Sequence, residues 1–295
     1  MSRITQRPET TADVLMVQRA AVNGYPPVLN QASILAEEGY DVAVLDGATH
    51  REDPLPGTEV RFVRPLVGSR RDGGTGARMW RRLRFYTVAS RAVRHCKPKV
   101  SILFDEKAVA FRPFFRRAEL VICHFHEYPE QIEGERGAWT RRFAQAQSGL
   151  SDLIVFPDEQ RARAYRLQIG LQEKPQVVFN CPRRLRQLPK GELHKVAPRN
   201  IAGWSHVVLF QGSISSTYYL EEVVQSMRWW PQEAGFVCVG PDREGVGSRL
   251  NEIARRNGYQ RRVCLLRPVP YHRLFSLTVD ADLAVTAVRP KTFNF

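Results

Sequence analysis

The sequence predicts an α/β protein of two lobes, on three observations. Short apolar runs alternate with helical periodicity along most of the chain, as strands and helices do in βα units. With 295 residues and 43% hydrophobic content, it can bury one large core or two ordinary ones. Between Cys181 and Ser205 the alternation gives way to Pro, Arg, Lys and Gly without period, the composition of a linker. The expected domains are therefore 1–182 and 205–295, joined by 183–204.

The first lobe opens with a strand at Val14–Val17. Asn23-Gly24-Tyr25-Pro26-Pro27 is a turn signal with proline at a helix start, and the helix Val28–Glu37 stops at Gly39. Strands are expected at Asp41–Leu45 and Val60–Val63, then a glycine- and arginine-rich loop at Gly68–Gly76 and a basic helix over Met79–Arg94. Val100–Phe104, Leu120–Phe125 and Leu153–Phe156 read as buried strands. A helix from Asp158 to Gln168 and a strand Val177–Phe179 close the lobe.

The second lobe reads strand Val207–Phe210, turn Gln211–Ser215, helix Leu220–Val224, strand Phe236–Val239 and Gly240-Pro241. Strand Val263–Leu266, helices at Gly247–Asn257 and Tyr271–Leu277, and a last strand Leu283–Val288 complete it. At roughly 30 residues per βα unit, this lobe holds about three units.

No apolar run approaches the roughly 18 residues of a membrane span, and the start of the chain is polar. A cytoplasmic protein is expected. The five cysteines, Cys96, Cys123, Cys181, Cys238 and Cys264, are widely spaced without a Cys-x-x-Cys pair, which fits a reducing compartment without disulfide or structural zinc. Net charge is +14, and Arg61–Lys99 carries twelve Lys or Arg against the single acid Asp72. Such a block attracts phosphate-rich partners.

That block includes the basic helix. By angle, Met79, Leu83, Tyr86 and Val93 form a stripe toward the sheet, leaving Trp80, Phe85 and Val88 among Arg78, Arg81, Arg82, Arg84, Arg91 and Arg94. Three readings are open. An anionic membrane surface would take Trp80, Arg81 and Arg84 at its head groups, with the protein peripheral at the inner face. A nucleic acid would take the arginines on phosphates. A plain solvated face needs no partner.

Two constellations carry possible chemistry. Gly212 with Ser213, Ser215, Ser216 and Thr217, between a buried strand and a helix, offers backbone N–H groups and hydroxyls to a diphosphate. An N-capped strand-to-helix turn is the simpler reading. Cys123-His124-Phe125-His126-Glu127 lies at the carboxyl end of a strand, the ligand-facing end of an α/β sheet. His124 and His126 share one strand face, which permits joint metal ligation, but a polar strand end explains them without a metal.

In order and content these pieces resemble GT-B glycosyltransferases of the retaining family 4 (group 1) type. The resemblance rests on Phe210-Gln211-Gly212, Leu220-Glu221-Glu222, Pro241, Pro270 and the His126-Glu127 pair. Ser151–Glu159 resembles the family's strand leading to a polar crossover, and Val177–Pro182 its strand-Asn-x-Pro segment. It implies two Rossmann-like lobes, the first for the acceptor and the second for a nucleotide-sugar donor, with no metal or other cofactor. It assigns His126 and Glu127 to catalysis, Gly212, Ser213 and Pro241 to the donor, and Gly24 and Asn180 to the acceptor cleft. The acceptor it implies is a saccharide or a lipid-linked one, in polysaccharide biosynthesis; nucleic acid is not an expected partner. Where the family carries arginine before the donor helix, this chain has Tyr218 and Tyr219. The family's acidic donor motif falls beyond Phe295, so the second lobe is expected to be truncated, with weak or absent turnover. The alternatives are a noncatalytic relic of the fold and a basic nucleic-acid-binding module.

Overall fold

The computed structural model describes residues 12–47, 55, 57–64, 75–115, 118–129, 138–182, 190–197, 201, 203–242 and 244–289. The expected loop at Gly68–Gly76 lies outside them up to residue 74. Two compact units divide the chain, Met1–Arg183 and Arg184–Phe293.

The first unit is a seven-stranded parallel sheet. Its strands are β1 (Val14–Gln18), β2 (Val42–Asp46), β3 (Arg61–Val63), β4 (Val100–Phe104), β5 (Leu120–His124), β6 (Leu153–Phe156) and β7 (Gln176–Val177). They lie in the order β3-β2-β1-β4-β5-β6-β7. The order reverses between β1 and β4, and the loops leaving those two strands at their carboxyl ends flank the crevice where such sheets bind ligands. Helix α1 (Pro26–Glu37) begins with proline at its first turn, where a missing N–H is tolerated. Gly39, at φ +88°, lies just past its end.

Helix α2 (Thr75–Cys96) is longer than expected, and its inward stripe includes Phe85 beside the expected Tyr86 and Val93. Phe85, Ala89, Ala92, Val93 and Cys96 are buried, while Tyr86 and Val88 pack half-buried on the same core. Phe85 is thus a core residue and not one of the exposed aromatics. Trp80 remains 66% exposed, and Arg84, Arg91 and Arg94 share its outer face. The side chain of Arg81 lies outside the described residues. In this unit two helices among the described residues went unread in the sequence: α3 (Asp105–Val109), directly behind β4, and α4 (Ala138–Ser148). Helix α5 (Glu159–Ile169) is capped by the Asp158 carboxylate on Arg161 N–H and ends at Gly170 in the left-handed region.

The second unit starts with α6 (Glu192–Val196), inside the segment expected to be a linker. Leu193, Ala197 and Ile201 are buried against Val207, Leu209, Val237 and Leu277, and Asp280 accepts both Gly191 N–H and Leu193 N–H at 2.7 Å. The described part of that segment is therefore packed structure. A four-stranded parallel sheet follows, β8 (His206–Gln211), β9 (Ala234–Val239), β10 (Val263–Leu266) and β11 (Leu283–Ala284), in the order β10-β9-β8-β11. Helices α7 (Leu220–Ser226), α8 (Val246–Arg256) and α9 (Tyr271–Val279) connect them. The last strand is shorter than expected. After Ala284 the chain leaves the sheet, and Val288 pairs antiparallel with Tyr218 instead.

Candidate functional site

In the first unit the carboxyl ends of β1, β2, β4 and β5 build one polar cluster. Asp46, the last residue of β2, is fully buried; it accepts Val22 N–H at 3.1 Å and pairs with Arg64 Nε at 3.2 Å. This ties the turn Val22–Gly24 down onto the sheet. At Gly47 a side chain would lie 2.0 Å from the Arg19 carbonyl oxygen, so glycine is required for that close approach. A dinucleotide fold uses an acid near this place for ribose, but here both Asp46 oxygens are engaged by protein.

The centre of the cluster is Asp105, a residue the sequence reading missed. It follows β4 immediately and has φ +60°, a left-handed conformation that is uncommon outside glycine. Its Oδ1 accepts the backbone N–H of His126 at 2.9 Å, and its Oδ2 faces His126 Nδ1 at 3.0 Å and Gln18 Nε2 at 3.3 Å. Burial pushes the Asp105 carboxyl up, but the His126 ring and N–H with Gln18 outweigh it, and the group lies below the usual carboxylate value. The signal available in the sequence was an acid directly after a buried strand.

His126 is buried, its ring stacked on Phe104 at 5.2 Å with the Tyr25 ring 5.8 Å away. Its Nε2 has no hydrogen-bond partner among the described residues, and neither has Nε2 of His124. Burial, and then the charge of His126, push the His124 imidazole down to about 3, so it is neutral at ordinary pH. The two rings stand 5.3 Å apart. Among the described residues no group of three or more His, Cys, Asp or Glu could hold a metal ion.

The other expected first-unit residues lie apart from this cluster's interior. Glu127 is exposed, so of the His126-Glu127 pair only His126 joins the buried network, and its carboxylate partner is Asp105. Gly24 ends the Val22–Gly24 turn, where a side chain would meet open space. Asn180 is exposed after β7.

In the second unit the loops after β8 and β9 are joined backbone to backbone. Gly212 N–H donates to Val239 O at 3.0 Å and Ile214 N–H to Pro241 O at 2.9 Å. Gly240, at φ +153°, passes so close that a side chain on it would lie 1.8 Å from the Gly212 carbonyl oxygen. Ser213 is exposed and Ser215 buried. Acids occupy part of the loops' hydrogen-bonding capacity: Glu244 accepts Ser216 N–H at 2.9 Å, and Asp242 caps α8 on Val246 and Gly247.

The segment after β11 meets the β8 loop, with Tyr219 N–H on Ala287 O and Arg289 N–H on Thr217 O. It delivers a guanidinium that the sequence reading did not foresee. Arg289 lies 4.1 Å over the Tyr219 ring and pairs with Glu222, so a cation stands beside the tyrosines where arginine was missed.

Two parallel sheets, each reversing order beside its first strand and each with its polar cluster there, define the GT-B fold of glycosyltransferases. No family model matches the chain, and no curated protein sequence matches it. Among solved structures it is similar to HepE of Anabaena in complex with UDP-glucose, at TM-score 0.67 and 16% identity over 92% of this chain and 72% of that one. It is similar to sucrose-phosphate synthase of Thermosynechococcus elongatus at TM-score 0.65 and 13% identity, covering 92% and 74%. A glycosyltransferase of Rickettsia africae gives TM-score 0.60 and 11% identity, covering 94% and 73%.

Proposed function

We propose that the chain is a glycosyltransferase that moves a sugar from a nucleotide-sugar donor to a saccharide or lipid-linked acceptor, with retention at the transferred carbon. The observation that carries this reading is the GT-B fold itself, shared with HepE, which was solved with UDP-glucose. The turn after β8, from Gly212 to Thr217 ahead of α7, supports a donor diphosphate there, since such a strand-to-helix turn can offer backbone N–H groups and hydroxyls to phosphate. Ser213 adds an exposed hydroxyl, and Pro241 holds the loop through Ile214. In this reading the diphosphate leaves against backbone N–H groups and basic side chains rather than a bound metal. His126 takes a hydroxyl of the sugar or the acceptor on its unpartnered Nε2; Gly24, Glu127 and Asn180 would line the acceptor.

Calorimetry with UDP, GDP, ADP and their glucose conjugates tests the donor site. Saturable binding by the wild type, abolished in Ser213→Trp, is expected; Ser213 is exposed, so the bulk blocks the loop without unfolding it. No binding by the folded chain would reject the reading.

A lipid-linked acceptor draws support from α2, whose outer face carries Trp80, Arg84, Arg91 and Arg94, with half-exposed Phe114 bordering a cavity of about 120 Å³ beside Arg94. No helix among the described residues is long and apolar enough to cross a membrane, so contact would be peripheral. The expected result is flotation with phosphatidylserine vesicles at low salt, weakened in Trp80→Ser/Arg84→Ser. Indifference to those vesicles rejects it.

A further inference from the structure

We propose that the cavity between the last turns of α2 and the short helix Arg112–Phe115 is a binding site for a phosphate ester. The phosphate is held by the Arg94 guanidinium and the Ser90 hydroxyl, and the carbon side of the ester lies against Phe114 and Val93. The site stands apart from the residues assigned to donor and acceptor, and it does not rest on the transfer of a sugar.

Among the described residues the cavity is lined by Ser90, Val93, Arg94 and Phe114 and encloses about 120 Å³. That is below the roughly 300 Å³ at which pockets for drug-sized ligands begin, so it suits one compact group and not a nucleotide. Arg94 has no hydrogen-bond or ion-pair partner among the described residues, and neither has the Ser90 hydroxyl. A guanidinium meets phosphate with two parallel N–H groups, and a neighbouring hydroxyl adds a third donor. Phe114 is 50% exposed, yet its ring is held within 6° of parallel to Tyr86, on which Phe111 packs at 3.8 Å. The aromatic stack therefore fixes an apolar wall beside the guanidinium, which an ester can use and a bare ion cannot.

The surrounding charge is one-sided. Helix α2 contains no acidic residue, and the exposed guanidiniums of Arg84, Arg91 and Arg94 are unpaired among the described residues. Ala12 N–H donates to Cys96 O at 2.9 Å, which places this end of α2 at the amino ends of the strands, opposite the cluster of Asp105 and His126. Two acids near that end are already engaged, Asp13 with Lys99 at 3.0 Å and Asp41 with Arg61 at 2.8 Å. Arg94 also stands in the last turn of α2, where a cation complements the helix dipole. That role asks only for charge and leaves the cavity and its aromatic wall without use.

The test is titration of the full ¹⁵N-labelled chain with inorganic phosphate and with butyl phosphate, followed at the Ser90 N–H and the Arg94 Nε–H. Saturable shifts at both positions are expected, with the ester binding about five-fold tighter than the inorganic ion. Arg94→Gln should weaken both ligands about ten-fold, whereas Arg84→Gln, which removes the same charge from the same helix, should weaken them less than about two-fold. Phe114→Ala should bring the ester down to the affinity of inorganic phosphate. Vesicles containing phosphatidic acid then identify the source: displacement of butyl phosphate assigns the site to a lipid head group, and retention assigns it to a soluble ester.

Equal weakening in Arg84→Gln and Arg94→Gln would reduce the site to a diffuse positive field. No shift at Ser90 or Arg94 in the folded chain would leave Arg94 to the helix dipole alone. Either result overturns the proposal. Neither probe is a nucleotide sugar, so the outcome is decided whether or not the donor turn binds one.

Discussion

The two units solve one topological problem with opposite materials. Each has its first and fourth strands side by side, β1 with β4 and β8 with β11, and each gathers polar groups at the carboxyl ends of its central strands, β1, β4 and β5 in the first and β8 and β9 in the second. In the first unit the groups are side chains, Gln18, Asp105 and His126, held by hydrogen bonds across the sheet. In the second they are backbone, with Gly240 passing the Gly212 carbonyl where no side chain fits. A side-chain site can be retuned one residue at a time, whereas a backbone site depends on the absence of atoms. Substitutions should therefore fail differently in the two units.

The largest effect is expected at Gly240→Ala, whose new methyl would collide with the Gly212 carbonyl, an atom that only a shift of both loops can move. A loss of about 4 kcal/mol, confined to the second unit's transition in urea, would agree with a backbone site. A loss below about 1 kcal/mol would show that the loops are not locked together.

Next comes Asp105→Ala, which leaves the His126 N–H unpaired and should cost about 2–3 kcal/mol at neutral pH. Because the folded-state carboxyl value is lowered, this contribution is complete above the ordinary value of 3.8 and is lost as pH falls through the folded value. The stability difference between wild type and variant should therefore persist from pH 7 to about 4 and shrink below it. A difference that vanishes by pH 6 would contradict the hydrogen-bonded carboxylate.

His124 has the same sign and a different window. Its imidazole is lowered to about 3 from 6.5, so stability is full above 6.5 and is lost progressively on acidification toward 3. The wild type should lose about 2 kcal/mol more than His124→Phe between pH 6.5 and 5. Parallel pH profiles would place His124 in contact with water. The smallest effect is expected at Gly212→Ala, about 1–2 kcal/mol, since its methyl would meet only the tip of the Phe210 ring at 3.2 Å. Equal losses at Gly212 and Gly240 would remove the distinction between a movable ring and an immovable carbonyl.

The same contrast explains what was legible in the sequence. The Gly212 and Gly240-Pro241 turns were readable because strand, glycine and following residues are contiguous, and the buried strands because each is an uninterrupted apolar run. His126 was readable at its strand end. Its carboxylate partner was not, because Asp105 lies in another segment and the adjacent Glu127 was the local candidate. Arg289 escaped for the same reason: its place over Tyr219 depends on the pairing of Val288 with Tyr218. Helix α2 was found, but its inward face was misread at Phe85, because angular position says which residues share a side and not which side meets the sheet.

By itself the sequence determined the α/β alternation, the strands of both sheets, the glycine turns and the concentration of positive charge, since all of these follow from neighbours along the chain. Tertiary structure alone decided that Asp105 and not Glu127 engages His126, that residues 190–197 pack with the second unit, and that Gly240 has no room for a methyl group. The physical reason is that hydrogen bonds and steric exclusion act between atoms a few ångströms apart, whatever the length of chain that separates them.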